Sequence, residues 1–340
     1  MKTWNQFEMD LKKKFENSDF SGVVVAHVGG HKVFSVEMGS RNASEKAGIL
    51  PTDAFRIGCL GKQFLAAAFL KLENEGKIDL EVPMVSLIPE RHKSLIRSEF
   101  HKIRLIHLLN GTSGLSSLRR TERYASHVHT KSFRREELLE ACLHLECDAP
   151  PGTIFREALG PTILASICLE ELTGLPVDLS IKQLTRTDLD SLGMDWKKSL
   201  FPLASPHIKK GDALELHSIF NHDPNFSCLY GACALYANAL DLVCWFENLI
   251  AGAILGPAAT ARMMREGLGS YGLGIVCWTA KDGTRRLWHH GGASGYAADL
   301  IGVPEREIVV CVLQNQGFTK KRPDVAQEAL KLTLLGVNEC

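Results

Sequence analysis

The stretch Phe55-Arg-Ile-Gly-Cys59-Leu-Gly-Lys62-Gln-Phe64 opens a long apolar helix pattern, and it decides how the rest of the chain is interpreted. Helical spacing continues to Gly76, a residue type that often ends helices. Positions i and i+3 share one helix face, so we expect the Lys62 amine beside the Cys59 thiol. The positive end of the helix also favours an anion there. The segment therefore predicts a cysteine nucleophile whose proton the lysine takes or whose pKa it lowers, although a bare Cys-x-x-Lys also fits a small buried cysteine at a helix start.

Strand-like runs lie towards both ends of the chain, with helical patterns between them. The predicted strands are residues 22–28, 32–38, 271–278, 284–289, 297–303 and 307–313. Gly29-Gly30 separates the first two and is a hairpin signal. Further helices are expected at the N-terminus, over 135–143, 162–174 and 239–249, and from about Pro323 to Leu335. This order predicts an α+β fold whose antiparallel sheet is built from both termini and flanked by helices.

The same pattern predicts two domains. One is a discontinuous α/β sheet domain of residues 1–58 and 255–340. The other is mostly helical and covers residues 59–254, and the active site is expected at the junction of the two.

Charge and hydropathy exclude several function classes. The 340 residues include 39 Lys+Arg and 39 Asp+Glu, so the net charge is zero, which argues against an electrostatic nucleic-acid binder. No stretch approaches the roughly 18 uninterrupted apolar residues of a membrane span. Residues 1–14 lack the apolar core of an export signal. We therefore expect a cytoplasmic protein whose partner is a small-molecule substrate, with neither nucleic acid nor membrane as partner.

The ten cysteines do not form a metal-binding pattern. No Cys-x-x-Cys pair and no zinc-ligand spacing occurs, so no metal and no organic cofactor is expected. Most of these cysteines lie in apolar surroundings, where cysteine behaves as a small buried hydrophobe. The prediction is nine inert cysteines in a reducing compartment, and one reactive cysteine, Cys59.

Several motifs in order resemble the serine β-lactamase and penicillin-binding-protein superfamily, particularly its class C and esterase-like branch. The family pattern Phe-Arg-Ile-Gly-Ser-x-x-Lys, followed by Glu-Gly-Lys-Ile-Asp-Leu, is similar to residues 55–62 and 75–80. The other similar segments are Ile103–Leu115, Pro151–Phe155, Leu172–Pro176, Tyr271–Ile275, Trp288–Tyr296 and Val312–Asn315. The resemblance covers roughly residues 18–335 and implies the β-lactamase-like fold and acyl-transfer chemistry.

Two departures from the family pattern concern its catalytic residues. Cys59 stands where the family has its nucleophilic Ser, and Glu157 and Leu159 stand where it has the Tyr and Asn of Tyr-x-Asn. A thiol needs less help from a base than a hydroxyl does, so Cys59 tolerates the loss of the Tyr. Glu157 is expected to transfer protons or to bind a cationic substrate group, unless it is simply an exposed structural residue.

The resemblance also implies which residues of the site would contact the substrate. The Lys/His-x-Gly motif is kept as His290-Gly291-Gly292, so His290 and Gly292 would form the substrate-docking edge. The backbone N–H of Cys59 and one near Ser294 would form the oxyanion hole. His289 is expected to be a structural residue beside Trp288, with polarisation of the site as its alternative role.

Two further candidates come from other segments. Tyr124 lies in a polar segment, residues 119–129. This segment either forms a loop over the cleft, where Tyr124 could substitute for the missing family Tyr, or is a solvated loop. Asn110 is a substrate-side candidate with a structural alternative.

These observations predict an acyl-transfer enzyme, a hydrolase or acyltransferase acting through a Cys59 acyl-enzyme that Lys62 activates. Its substrate would be an amide, ester or thioester of a small metabolite, including a carrier- or CoA-linked thioester, in a biosynthetic pathway. The alternative is a non-hydrolytic or non-catalytic descendant of the fold that binds a small molecule in the old cleft. Cys59 would then be an inert thiol, and Arg156 and Glu157 a charged binding pair.

Overall fold

The structure is a computed structural model that describes residues 2–42, 47–128, 130–210, 213–316 and 324–339. The strands are β1 Gly22–Val28, β2 His31–Met38, β3 Phe55–Arg56, β4 His207–Lys210, β5 Ala213–Leu216, β6 Tyr236–Ala237, β7 Val276–Thr279, β8 Arg285–Ala293, β9 Tyr296–Val303 and β10 Ile308–Gln314. The helices are α1 Trp4–Phe15, α2 Lys62–Asn74, α3 Leu105–Leu109, α4 Glu122–Ala125, α5 Arg135–Leu143, α6 Leu159–Thr173, α7 Val177–Thr185, α8 Ser218–His222, α9 Ala239–Ile250, α10 Pro257–Met263 and α11 Val325–Glu339. Pro323, where the last helix is predicted to begin, His129 and Cys340 lie outside the described residues.

The main sheet has six strands in the order β2-β1-β10-β9-β8-β7. All of its neighbouring strands are antiparallel, and β1 pairs with β10 from Gly22 opposite Gln314 to Val28 opposite Ile308. Gly29 and Gly30 connect β1 to β2 with φ values of 59° and 76°, the left-handed conformation that a tight two-residue hairpin requires. The prediction of an antiparallel sheet built from both ends of the chain is thus confirmed.

Both faces of this sheet are covered by helices. Successive strand residues point to opposite faces, so Val23 and Val25 pack into the core that contains α2, α6 and α9. Val24 and Ala26 pack on the other side, against α1 and α11. Two-sided burial explains why β1 is continuously apolar rather than alternating. No helix in the described part of the chain is long and apolar enough to cross a membrane.

The strand predicted over residues 271–278 is shorter in the structure, because β7 begins only at Val276. Gly274 has a φ of 69°, which is outside the β region, and its N–H donates a hydrogen bond to the Leu109 carbonyl at 3.0 Å. The chain therefore bends towards α2 and α3 before the strand starts. This bend brings Tyr271 into contact with the candidate site.

Candidate active site

Cys59 lies in a single 3₁₀ turn, Gly58–Gly61, that leads directly into α2; we call it the Cys59 turn. Gly58 has a φ of 54°, and a Cβ atom there would lie 2.7 Å from the backbone nitrogen and oxygen of Gly292. Glycine is therefore required, because β8 packs directly on the turn. The Cys59 side chain is partly exposed at the N-terminal end of a buried helix, where the helix dipole favours a thiolate.

Arg56 anchors the strand that precedes the Cys59 turn. Its buried guanidinium donates hydrogen bonds to the carbonyl oxygens of Pro224, at 2.8 Å, and Ala234, and it stacks 4.9 Å from the Trp196 ring. Burial lowers the pKa of Arg56 to about 10, so the group is still charged at neutral pH. It thereby ties the strand before Cys59 to the residue that follows Cys233.

The buried Lys62 ammonium forms an ion pair with Glu157, with 2.7 Å between Nζ and Oε1. Burial alone would lower the pKa of Lys62, but the negative charges of Cys59 and Glu157 raise it above its usual range. Burial would likewise raise the pKa of Glu157, but Lys62 lowers it. Both groups are therefore charged at neutral pH, and Lys62 acts on Cys59 as a cation rather than as a proton acceptor.

The pKa of the Cys59 thiol is lowered to about 7. The main cause is a hydrogen bond from the thiol of Cys233, whose Sγ lies 3.9 Å from the Cys59 Sγ. The charge of Lys62 lowers the pKa further, whereas burial and the Glu157 carboxylate oppose the shift. A substantial fraction of Cys59 is thus thiolate at neutral pH.

His289 extends the site on strand β8. Its Nδ1 donates to the His290 carbonyl oxygen and its Nε2 accepts from the Tyr271 hydroxyl, both at 2.8 Å. The Nε2 atom lies 3.7 Å from Glu157 Oε1. Burial lowers the pKa of His289 to about 4, so the ring is neutral and these two partners fix its tautomer.

His289, rather than the predicted His290, lies on the side of β8 that faces the Cys59 turn, as the alternative in which His289 polarises the site requires. Alternation along β8 places His289 and Gly291 towards the Cys59 turn, where a Cβ on Gly291 would lie 1.7 Å from the Ile57 carbonyl oxygen. His290 points to the other face, and its Nδ1 lies 2.9 Å from Asp299 Oδ1. Gly292 contributes backbone contacts to Gly58 instead.

The predicted role of Tyr124 in a loop over the cleft is wrong. Tyr124 lies in the short helix α4, is 1% exposed, and donates its hydroxyl hydrogen bond to the Cys228 carbonyl at 3.0 Å. Burial raises its pKa above the usual range. Its ring is therefore part of the core, whereas Glu122 and Ser126 on the same helical turn are exposed.

Two other predicted substrate-side residues lie in turns. Asn110 follows α3, and its Oδ1 accepts hydrogen bonds from the N–H and the hydroxyl of Thr112, so it stabilises a turn, as the structural alternative predicts. Ser294 follows the end of β8, in the turn that leads to β9. The part of β8 that touches the Cys59 turn is Gly291 and Gly292.

The cysteines differ from the prediction at two described positions. Burial raises the pKa of Cys168, Cys228 and Cys277 to about 12, as expected of inert thiols. Cys233, in contrast, contacts Cys59, and Cys244 is exposed rather than buried. No local motif marks Cys233, because it lies 174 residues from Cys59 in the chain. Within the described ranges, no group of three His, Cys, Asp or Glu residues could hold a metal ion.

Comparison with known proteins relates the chain to one family. Residues 10–334 match the model of the family described as beta-lactamase. A proposed penicillin-binding protein of Bacillus subtilis (strain 168), PbpX, is 23% identical over 262 residues, which are 75% of this chain and 62% of PbpX. The chain thus spans less than two thirds of the length of that relative.

Two solved structures have the same fold at low sequence identity. The D-amino acid amidase from Ochrobactrum anthropi SV3, complexed with D-phenylalanine, has a TM-score of 0.81 and 16% identity, with 99% of each chain covered. EstCE1, a hydrolase with promiscuous acyltransferase activity, has a TM-score of 0.79 and 18% identity, with 97% of this chain and 98% of EstCE1 covered. Since the match extends over almost the whole sequence, the chain belongs to the beta-lactamase family.

Proposed function

We propose that this protein is an acyl-transfer enzyme in which Cys59 carries the acyl group as a thioester. The observation that supports this most is the partly exposed Cys59 thiol at the start of α2, with its pKa lowered to about 7 beside the Lys62–Glu157 ion pair. A thiolate is already a strong nucleophile, so the site does not need the Tyr that the family motif supplies. The substrate is an amide, ester or thioester of a small metabolite.

The first half of the reaction acylates Cys59. The sulfur attacks the substrate carbonyl carbon, a C–S bond forms, and the bond to the leaving group breaks. Where Cys59 starts as a thiol, Glu157 accepts its proton and returns it to the leaving group, while the charge of Lys62 stabilises the thiolate. The packing of Gly291 and Gly292 on the Cys59 turn supports an oxyanion site made of the Cys59 N–H and one N–H of β8, which can contribute a few kcal/mol.

The second half transfers the acyl group to water or to an amine. Glu157 supports this step because its carboxylate is 39% exposed and can receive the proton of the incoming nucleophile. The thiolate then leaves and the site is restored. Thioesters react readily with amines, and EstCE1 is described as a hydrolase with acyltransferase activity, so both acceptors belong to the proposal. A biosynthetic role in the cytoplasm stays a prediction.

The non-catalytic alternative has less support from the geometry. It requires Arg156 and Glu157 as a charged pair for a ligand. Arg156 instead forms an ion pair with Asp148 and donates to the Leu115 carbonyl at 3.2 Å, while Glu157 pairs with Lys62. The two side chains thus bind different partners within the protein.

Intact-mass spectrometry with an activated acyl ester tests the proposal. We expect wild-type protein to gain one acyl group at Cys59 and Cys59→Ala to gain none and to lose turnover. Cys244→Ala, which removes an exposed thiol on α9, is the matched control and should label like wild type. Equal turnover of the ester by Cys59→Ala and wild type would overturn the proposal.

A further inference from the structure

We propose that Cys59 and Cys233 form a redox modification site, in which a hydroperoxide converts the two thiols into a reversible disulfide. This inference adds regulation to the proposed function and rests on it, since blocking Cys59 matters to activity only if Cys59 is the nucleophile. The disulfide itself can be detected whether or not the protein transfers acyl groups.

The two sulfur atoms are already in contact. Their separation is 3.9 Å, and a disulfide bond requires about 2.0 Å, a change that side-chain rotation can supply when the two backbones are close. Cys233 lies in a second 3₁₀ turn, Gly231–Ala234, which we call the Cys233 turn. A Cβ on Gly61 would lie 1.7 Å from the Ala232 carbonyl oxygen, so the two turns touch through their backbones.

Contacts hold the backbone of the Cys233 turn on both sides of Cys233. The Ala232 N–H donates to Ser166 Oγ at 3.1 Å, and Arg56 donates to the Ala234 carbonyl. Gly231 has a φ of 69°, and a Cβ there would lie 2.2 Å from Ser166 Oγ, so the turn sits tightly on α6. These contacts fix the backbone on either side of Cys233 and keep its thiol directed at Cys59.

The two thiols differ in solvent exposure, as a peroxide-sensing pair requires. Cys59 is partly exposed, whereas Cys233 is 1% exposed and contacts Cys59 from the buried side. The Cys59 thiolate attacks one oxygen of hydrogen peroxide, giving a sulfenic acid and hydroxide. The Cys233 thiol then attacks the sulfenic sulfur; the S–S bond forms and water leaves. The two thiols lose two electrons to the peroxide, and an external dithiol restores them.

The consequence for the protein is protection as well as inhibition. A sulfenic acid without a neighbouring thiol is oxidised further to sulfinic and sulfonic acids, which thiols do not reverse. With Cys233 in contact, the sulfenic acid is captured as a disulfide. Peroxide treatment would therefore switch the nucleophile off without destroying it.

The experiment treats the full-length protein with hydrogen peroxide and maps its peptides under non-reducing conditions. We expect the wild type to lose two hydrogen atoms in mass, to yield one cross-linked peptide pair containing Cys59 and Cys233, and to regain its original mass with dithiothreitol. Cys233→Ala should instead gain two or three oxygen atoms at Cys59, and dithiothreitol should not remove them. Cys244→Ser serves as the control and should form the cross-link as wild type does.

Two results would overturn the inference. One is wild-type protein that gains oxygen at Cys59 without the Cys59–Cys233 cross-link. The other is Cys59 linked to a cysteine other than Cys233. The cross-link in a protein that cannot be acylated at Cys59 would refute the proposed function but leave the redox site standing, so the two failures can be told apart.

Discussion

The pKa of the Cys59 thiol is lowered to about 7 mainly by the hydrogen bond from Cys233. Two opposite charges act on it as well: the ammonium of Lys62 lowers this pKa and the carboxylate of Glu157 raises it. Lys62 is buried and is kept protonated by its anionic neighbours. A cation that stabilises the thiolate replaces a base that removes a proton, which suits a sulfur nucleophile better than an oxygen one.

Lys62→Met should raise the pKa of Cys59, because the favourable charge is lost and Glu157 is left without its partner. The rate of alkylation by iodoacetamide follows the thiolate fraction. Its pH midpoint should therefore move upward from the wild-type value of about 7. Peptide-resolved alkylation between pH 5 and 10 measures this shift, with the exposed Cys244 as an internal reference.

Glu157→Gln should shift the pKa of Cys59 in the opposite direction to Lys62→Met, so the two variants together test the ion pair more strictly. Removing the carboxylate charge should lower the pH midpoint of Cys59 alkylation, while proton transfer is lost and turnover falls by about a hundredfold or more. The two variants thus separate charge from proton transfer. Midpoints that move in the same direction in both variants would show that the ion pair does not control the thiol.

At the scale of secondary-structure elements, the geometry of the site depends on the packing of strand β8 on the Cys59 turn. Strand β8 presents Gly291 to the Cys59 turn with no room for a side chain. The same strand carries His289 two residues earlier, so the packing that admits Gly291 also directs His289 towards Glu157. The sequence motif contains both residues, but it does not say which of two adjacent histidines has this orientation.

Gly291→Ala should push β8 away from the Cys59 turn by more than 1 Å, since the new Cβ would lie 1.7 Å from the Ile57 carbonyl oxygen. A misplacement of this size can cost about a hundredfold in rate. We expect acylation of Cys59 to slow to that extent, measured by the rate of adduct formation. Gly48→Ala, where a Cβ meets no atom within 4 Å, is the control and should acylate normally.

At the scale of the whole molecule, Asn315 joins segments from both ends and the middle of the chain. Its Oδ1 accepts a hydrogen bond from Ser21, and its Nδ2 donates to the carbonyl oxygens of Ser40 and Ser205, all at 2.8 or 2.9 Å. Asn315 is fully buried. It thus fastens the end of β10 to the start of β1 and to the segment that precedes β4.

Asn315→Ala should lower the free energy of unfolding by about 3 kcal/mol, because it leaves buried carbonyl and hydroxyl groups without partners. Urea denaturation followed by circular dichroism measures the change. Asn5→Ala, at an exposed position of α1, should change it by less than about 0.5 kcal/mol. An Asn315→Ala variant as stable as Asn5→Ala would mean that this network does not hold the two ends together.

The sequence alone determined the features that rest on local spacing. Cys59 and Lys62 are three residues apart at a helix start, so their proximity follows from helix geometry. The strands at both ends follow from apolar runs and the Gly29–Gly30 turn, and the antiparallel sheet from short connections. None of these inferences requires knowledge of how distant segments meet.

Only the tertiary structure decided what else surrounds Cys59. The contact between Cys59 and Cys233 joins residues 174 positions apart, and the orientation of His289 depends on how β8 docks on the Cys59 turn. Tyr124 lies in a polar stretch of sequence but is buried, since its ring packs into the core while Glu122 and Ser126 are exposed. Spacing along the chain determines which residues share one face of a helix or strand. Packing between elements determines which of these faces meet, and the electrostatics of this site depend on that packing.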